Sequence, residues 1–153
     1  MVTTLKNLQI ALIMGILALP IPLSSQSTKV MTYNIKYDNV SDTVNNWNDR
    51  KEAMVDQLKK HDPGIIGMQE VLYGQLEYLD ESLPDFEYVG VGRDDGKQKG
   101  EFSPILYNSK KFALLRSNTF WLSKTPEKVS VGWDAALERI CTYALFEDKN
   151  SGQ

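Results

Sequence analysis

Two polar side chains stand at the ends of runs with strand character, Asn34 in MTYNI and Glu70 in GMQE. A carboxylate beside a neutral amide is the beginning of a Mg²⁺ site, because Mg²⁺ takes oxygen ligands and keeps several waters. For the two side chains to meet, their strands must lie side by side and parallel, since open α/β sheets bind ligands beyond the carboxyl ends of their strands. On spacing alone, Asn34 serves equally well as a turn residue and Glu70 as a surface acid.

The elements that would bring them together are legible. Lys29–Lys36 (KVMTYNIK) is rich in β-branched and aromatic residues and predicts a strand. After a polar loop, Asn48-Asp49 is expected to cap a helix running to about Lys60, with Ala53, Met54, Val55 and Leu58 on its apolar side. Asp62-Pro63-Gly64 ends it, and Ile65–Met68 follows as a short buried strand. A right-handed crossover through that helix would set the two strands parallel and adjacent. Beyond them the pattern predicts a helix from about Gly74 to Ser82 and a strand over Phe86–Val91. A charged, glycine-rich loop (Gly92–Gly100) separates these from strands over Phe102–Tyr107, Phe112–Leu122 and Arg139–Phe146. Trp47, Trp121 and Trp133 are expected to pack in the core or at its rim. The residues Asp148 to Gly152 suit a hairpin turn, which ordinarily leads into a partner strand, so the chain is expected to be a truncated piece of its domain.

Residues 1–27 carry one charge, Lys6, then the apolar run Ile10–Leu19, two prolines and a small polar cluster. Those are the three parts of a secretory signal peptide, and the run is shorter than the ~20 apolar residues a membrane span needs. A secreted or periplasmic protein without stable membrane insertion is therefore expected, with residues 28–153 as its domain. Hydrophobic content of 42% and charged content of 24% suit a folded domain and argue against disorder. Without Lys6, 16 basic groups face 20 acidic ones, a net charge of −4. Charge alone will not hold nucleic acid on such a surface, which leaves nucleic acid only as a substrate. Cys141 has no second cysteine to pair with and is expected to be a buried structural thiol, a pattern suited to a bacterial exterior.

The blocks MTYNIKYDN, DRKEAM, HDPGIIGMQEVLYGQLEYL, VGVGRDDGKQKGEFSPILYN, TFWLSKTPE and GWDAALERICTYALF occur in this order. Together they resemble the endonuclease/exonuclease/phosphatase superfamily, in particular its exported bacterial branch. The resemblance implies the amino-terminal half of a four-layer α/β/β/α sandwich, deoxyribonuclease-I-like. It also implies a Mg²⁺-dependent phosphoester hydrolase, with Mn²⁺ a possible substitute and a phosphoester of unknown identity as substrate. By the same resemblance, Asn34 is the catalytic asparagine that helps hold the substrate phosphate, and Glu70 is the metal ligand. Glu101 is the acid that orients a catalytic histidine, Arg139 is a phosphate contact, and Arg93 is a weaker one. A monomer is expected.

The sequence departs from the family where the base should be. Its later motifs, a "THxxH"-like strand, a "GDFN"-like segment and a terminal "SDH", do not occur, and the single histidine, His61, falls at a helix end. The chain by itself is therefore expected to be inactive. The alternative is a degenerate exported domain that keeps half the fold for binding.

Overall fold

The computed structural model describes residues 27–153, so the expected export segment, residues 1–27, lies outside the described residues apart from its last serine. The described elements are β1 (Val30–Asn34), α1 (Trp47–His61), β2 (Ile65–Gln69), α2 (Tyr73–Ser82), β3 (Phe86–Val89), β4 (Ile105–Asn108), β5 (Phe112–Trp121) and β6 (Ile140–Asp148). No helix among them is long and apolar enough to cross a membrane.

Four strands form one sheet in the order β1-β2-β4-β3, and β5 and β6 form a second. β1 and β2 run parallel, from Val30 opposite Ile65 to Asn34 opposite Gln69. β4 is antiparallel to both β2 and β3, so β3 points the same way as β2 and the loop after it emerges at the same rim.

Alternation along the strands sorts side chains between two interfaces. On one face Ile66, Met68 and Leu106 meet Met54, Val55 and Leu58 of α1 and Leu76 and Leu79 of α2. Each such side chain, fully withdrawn from water, contributes about 1.5–3 kcal/mol. On the other face Tyr107 of β4 packs against Phe146 of β6, with ring centroids 4.8 Å apart, and Phe112 meets the same ring at 6.3 Å. The described residues thus form helix, sheet and sheet, three layers of the expected sandwich.

Several expectations shift. The α1 cap is Asn46, not Asn48-Asp49: the Asn46 side chain accepts from the Asp49 amide while Asp49 reaches back to the Asn46 amide. The buried stripe is Trp47, Met54, Val55 and Leu58, and Ala53 is exposed beside it. The strand expected from Phe102 begins at Ile105, because Pro104 has no N–H to give a ladder. Phe102 makes a single bridge to Val71. β3 stops at Val89, where Gly90 takes φ 135° against Pro104. Cys141 is exposed, not buried, since it points to the outer face of β5–β6 with Tyr143 and Leu145, and no helix among the described residues covers that face. Trp133 is 75% exposed, whereas Trp47 and Trp121 are buried as expected.

Candidate metal and phosphate site

Where β1 and β2 end side by side, the last side chain of β1 meets the first one after β2. Asn34 donates from Nδ2 to Glu70 Oε1 at 2.8 Å, and the Tyr37 amide donates to Glu70 Oε2 at 3.0 Å. The Lys36 amide donates in turn to Asn34 Oδ1 at 2.9 Å. Because a carboxylate only accepts, it fixes which end of the Asn34 amide faces it. The Asn34 oxygen is turned to the backbone, so this side chain holds the carboxylate rather than adding a second oxygen beside it.

Two residues here adopt the left-handed conformation that disfavours side chains, Lys36 at φ 63° and Glu70 at φ 61°. Each costs on the order of 1–3 kcal/mol and persists only where the surroundings over-determine it. The chain reverses sharply after each strand and folds both ends back toward one point.

The Glu70 carboxyl is held below its ordinary value. The Asn34 hydrogen bond is the largest cause, followed by the Tyr37 amide; partial burial opposes them, and the positive charge of Arg50 assists. Glu70 is therefore ionised at neutral pH, with a lone pair to spare on each oxygen after its two hydrogen bonds. That is the donor chemistry Mg²⁺ accepts, one carboxylate with water and substrate oxygens completing the shell. Among the described residues no cluster of three His, Cys, Asp or Glu side chains joins it.

The Phe102 amide donates to the Val71 carbonyl at 2.7 Å, which lays Glu101 beside the residues that follow Glu70. There Glu101 Oε1 lies 3.1 Å from Arg93 Nη2. Arg93 is no free loop charge: its side chain is 13% exposed, and its carbonyl accepts from Trp121 Nε1 at 2.8 Å. Its Nε is buried without a hydrogen bond and lies 3.5 Å from Asp94 Oδ1. Arg139 precedes β6, and no hydrogen bond or ion pair among the described residues joins its side chain to Asn34 or Glu70. Only its carbonyl is tied, by the Leu122 amide at 2.7 Å. The structure thus unites Asn34 with Glu70 and Glu101 with Arg93, and leaves Arg139 apart.

His61 ends α1 and its carbonyl accepts from Lys29, the residue before β1. About 17 Å of extended strand separates Lys29 from Asn34. The histidine sits at the opposite rim of the sheet.

Sequence reasoning passed over Arg50 and Gln75. Arg50 donates Nη1 to the Ile35 carbonyl, Nη2 to Lys36 O at 2.7 Å and Nε to Asn45 O at 3.2 Å. Gln75, 1% exposed, donates Nε2 to the same Lys36 O at 3.1 Å and accepts from the Leu72 amide at 3.0 Å. A signal for Gln75 was present, a polar residue in the apolar stripe of Leu72, Leu76 and Leu79. Arg50 bonds only to backbone and leaves no side-chain pattern.

No family model matches the chain. Among solved structures it is similar to an endonuclease/exonuclease/phosphatase from Bacteroides vulgatus, at 48% identity and a TM-score of 0.78, over 80% of this chain and 47% of that one. It is similar to a mannosyl-6-phosphatase from Bacteroides thetaiotaomicron at 43% identity and a TM-score of 0.80, over 82% of this chain and 48% of that one. A curated relative, a probable RNA exonuclease of Saccharomyces cerevisiae, is 30% identical over 99 residues, 59% of this chain and 19% of the relative. The chain spans less than half the length of each. Fold and likeness together define a deoxyribonuclease-I-like α/β class. Within it, the chain belongs to the endonuclease/exonuclease/phosphatase superfamily.

Proposed function

We propose that Glu70 is the metal ligand of a Mg²⁺-dependent phosphoester hydrolase, with Asn34 holding its carboxylate in place. The observation that carries this is the Glu70 carboxylate, kept ionised by Asn34 and the Tyr37 amide at the rim where β1 and β2 end. Mg²⁺, or Mn²⁺ in its place, would supply Lewis-acid activation of the phosphoryl group and offset negative charge on the leaving oxygen. Arg93 brings a guanidinium to the loop at the same rim, where its charge favours a bound phosphate. Glu101 holds that guanidinium and, in a complete site, would orient a histidine base. Arg139 enters only if the segment before β6 turns toward bound phosphate.

A sugar phosphate is the favoured substrate class, because a structure 43% identical to this chain is that of a mannosyl-6-phosphatase. Residues 1–153 do not turn over substrate by themselves, since their one histidine stands at the wrong end of the sheet to act as base. Export through residues 1–27 and a monomeric state complete the proposal.

The test is Mn²⁺ binding, followed by paramagnetic broadening of backbone amide signals. Broadening should centre on Asn34, Lys36, Tyr37 and Glu70, and be lost in Glu70→Gln. Equal binding by the variant would overturn the metal assignment. Mg²⁺-dependent turnover of bis-(p-nitrophenyl) phosphate or mannose 6-phosphate by the chain, abolished by Glu70→Ala, would overturn the claim of inactivity.

A further inference from the structure

One carbonyl oxygen collects side chains from both helices. Lys36 O accepts from Arg50 of α1 at 2.7 Å and from Gln75 of α2 at 3.1 Å. Lys36 is one of the two left-handed residues at the site, and the next amide along the chain is that of Tyr37, which donates to Glu70 Oε2. The carbonyl that the helices grip and the amide that meets the carboxylate belong to one planar peptide group. Its orientation fixes both at once.

Each side chain is committed to this task beyond what packing needs. Gln75 is buried in an apolar layer where a leucine or methionine would fill the space with no polar group to satisfy. It spends its amide nitrogen on Lys36 O and its oxygen on the Leu72 amide, two residues past Glu70, so it ties the turn after β1 to the turn after β2. Arg50 grips the carbonyls of Ile35, Lys36 and Asn45. Asn45 is also left-handed, at φ 57°, so Arg50 holds both ends of the loop from Tyr37 to Asn45. Five donors in a rigid fork suit a convergence of carbonyls that a lysine cannot reproduce.

We infer that Arg50 and Gln75 are positioning residues for the Glu70 carboxylate, acting through the Lys36–Tyr37 peptide group. The contacts stand without a metal; the consequence for metal binding rests on the assignment of Glu70 as ligand. Arg50 also lies 5.5 Å from the ring centroid of Trp47, and support of that packing alone would be a merely structural role.

Hydrogen exchange on the full chain separates the two roles. The Tyr37 amide is exposed and its acceptor is the Glu70 carboxylate, so its protection reports this contact. Gln75→Met keeps volume and removes both hydrogen bonds without changing charge; Arg50→Lys keeps charge and loses the fork. Each should speed Tyr37 exchange by about tenfold or more, the loss of roughly one hydrogen bond. The amides of Met68 and Asn108, bonded to Pro104 O and Gly64 O, should keep their protection. Mn²⁺ affinity should fall in parallel.

Unchanged Tyr37 exchange in a folded variant would overturn the inference. So would a loss of protection spread evenly over Tyr37, Met68 and Asn108 in both variants. If only Gln75→Met unfolds, Arg50→Lys decides by the same readout. Should Tyr37 respond while Glu70→Gln binds Mn²⁺ as well as the unaltered chain, the positioning role stands and the metal assignment falls.

Discussion

Asn34 and Glu70, 36 residues apart in sequence, are joined at 2.8 Å across the ends of two parallel strands, with the nitrogen of the amide toward the carboxylate. The register of β1 on β2 makes this meeting unavoidable, because Asn34 lies opposite Gln69 and Glu70 is the next residue. A slip of one residue would turn Asn34 onto the helix face.

Asn34→Ala removes the largest influence lowering the Glu70 carboxyl. A depressed carboxyl stabilises the fold above its ordinary value of 4.5, and that stability is lost as pH falls through the lower folded value. In the variant the Glu70 carboxyl should titrate nearer its ordinary value, the acid limb of stability should flatten, and Mn²⁺ affinity should drop about tenfold or more, as for other residues that orient a ligand. A carbon-13 titration of the carboxyl decides; no upward movement would remove Asn34 from the role given to it.

Tyr107 offers a second titration, far from the site. It is buried between the sheets and its hydroxyl donates to Glu87 Oε2 at 2.7 Å. Burial first, then that hydrogen bond, push its phenol from 10.0 up to about 12. Because the folded value is the higher one, the contribution is fully present below pH 10 and disappears as pH rises through about 12. Urea midpoints should therefore fall across this window, and Tyr107→Phe should remove that part of the fall. An absorbance titration showing every tyrosine ionising near pH 10 would contradict the burial.

Asn46→Ala tests the helix start. Losing one half of a capping box costs about 1 kcal/mol, which lowers the melting temperature by roughly 2–4 °C in a domain of this size. Asn48→Ala should be nearly silent, since Asn48 contributes only an exposed contact with Lys51 Nζ at 2.9 Å. Equal losses in the two variants would show that the helix starts elsewhere.

The parallel pairing that makes the site was legible because Asp62-Pro63-Gly64 marks the end of the crossover helix and apolar runs flank it. The cap was misplaced because Asn46, Asn48 and Asp49 are all cap-forming types, and only the spacing of Asn46 to Asp49 selects the first. Cys141 was assigned to the interior from the apolar composition of its neighbours, yet in a strand composition says little without the period of two. Cys141, Tyr143 and Leu145 share the outer face, while Ile140, Ala144 and Phe146 face inward. Arg50 could not have been found, since the carbonyls it binds are placed by the fold and not by residue type. Glu101 and Arg93 were both singled out, but their pairing depends on the course of the intervening loop.

That loop can be tested at Gly92. A Cβ at this position would come 2.2 Å from Lys99 O and 2.8 Å from the Lys99 backbone carbon and nitrogen. These are backbone atoms, held by the hydrogen bonds Gly92 N to Lys97 O at 3.0 Å and Asp94 N to Lys99 O at 3.1 Å, so they cannot swing aside as a side chain would. Gly92→Ala must spread the two arms that carry Arg93 and Glu101. It should cost about 1–3 kcal/mol, as overpacking does, and erase the coupling between Arg93 and Glu101 in a double-mutant cycle. Gly67 provides the contrast: a Cβ there meets nothing within 4 Å, so Gly67→Ala should be neutral or stabilising by up to about 1 kcal/mol through the less flexible unfolded chain. Full retention of the Arg93–Glu101 coupling in Gly92→Ala would show that the pair does not depend on the close approach of the loop's two arms.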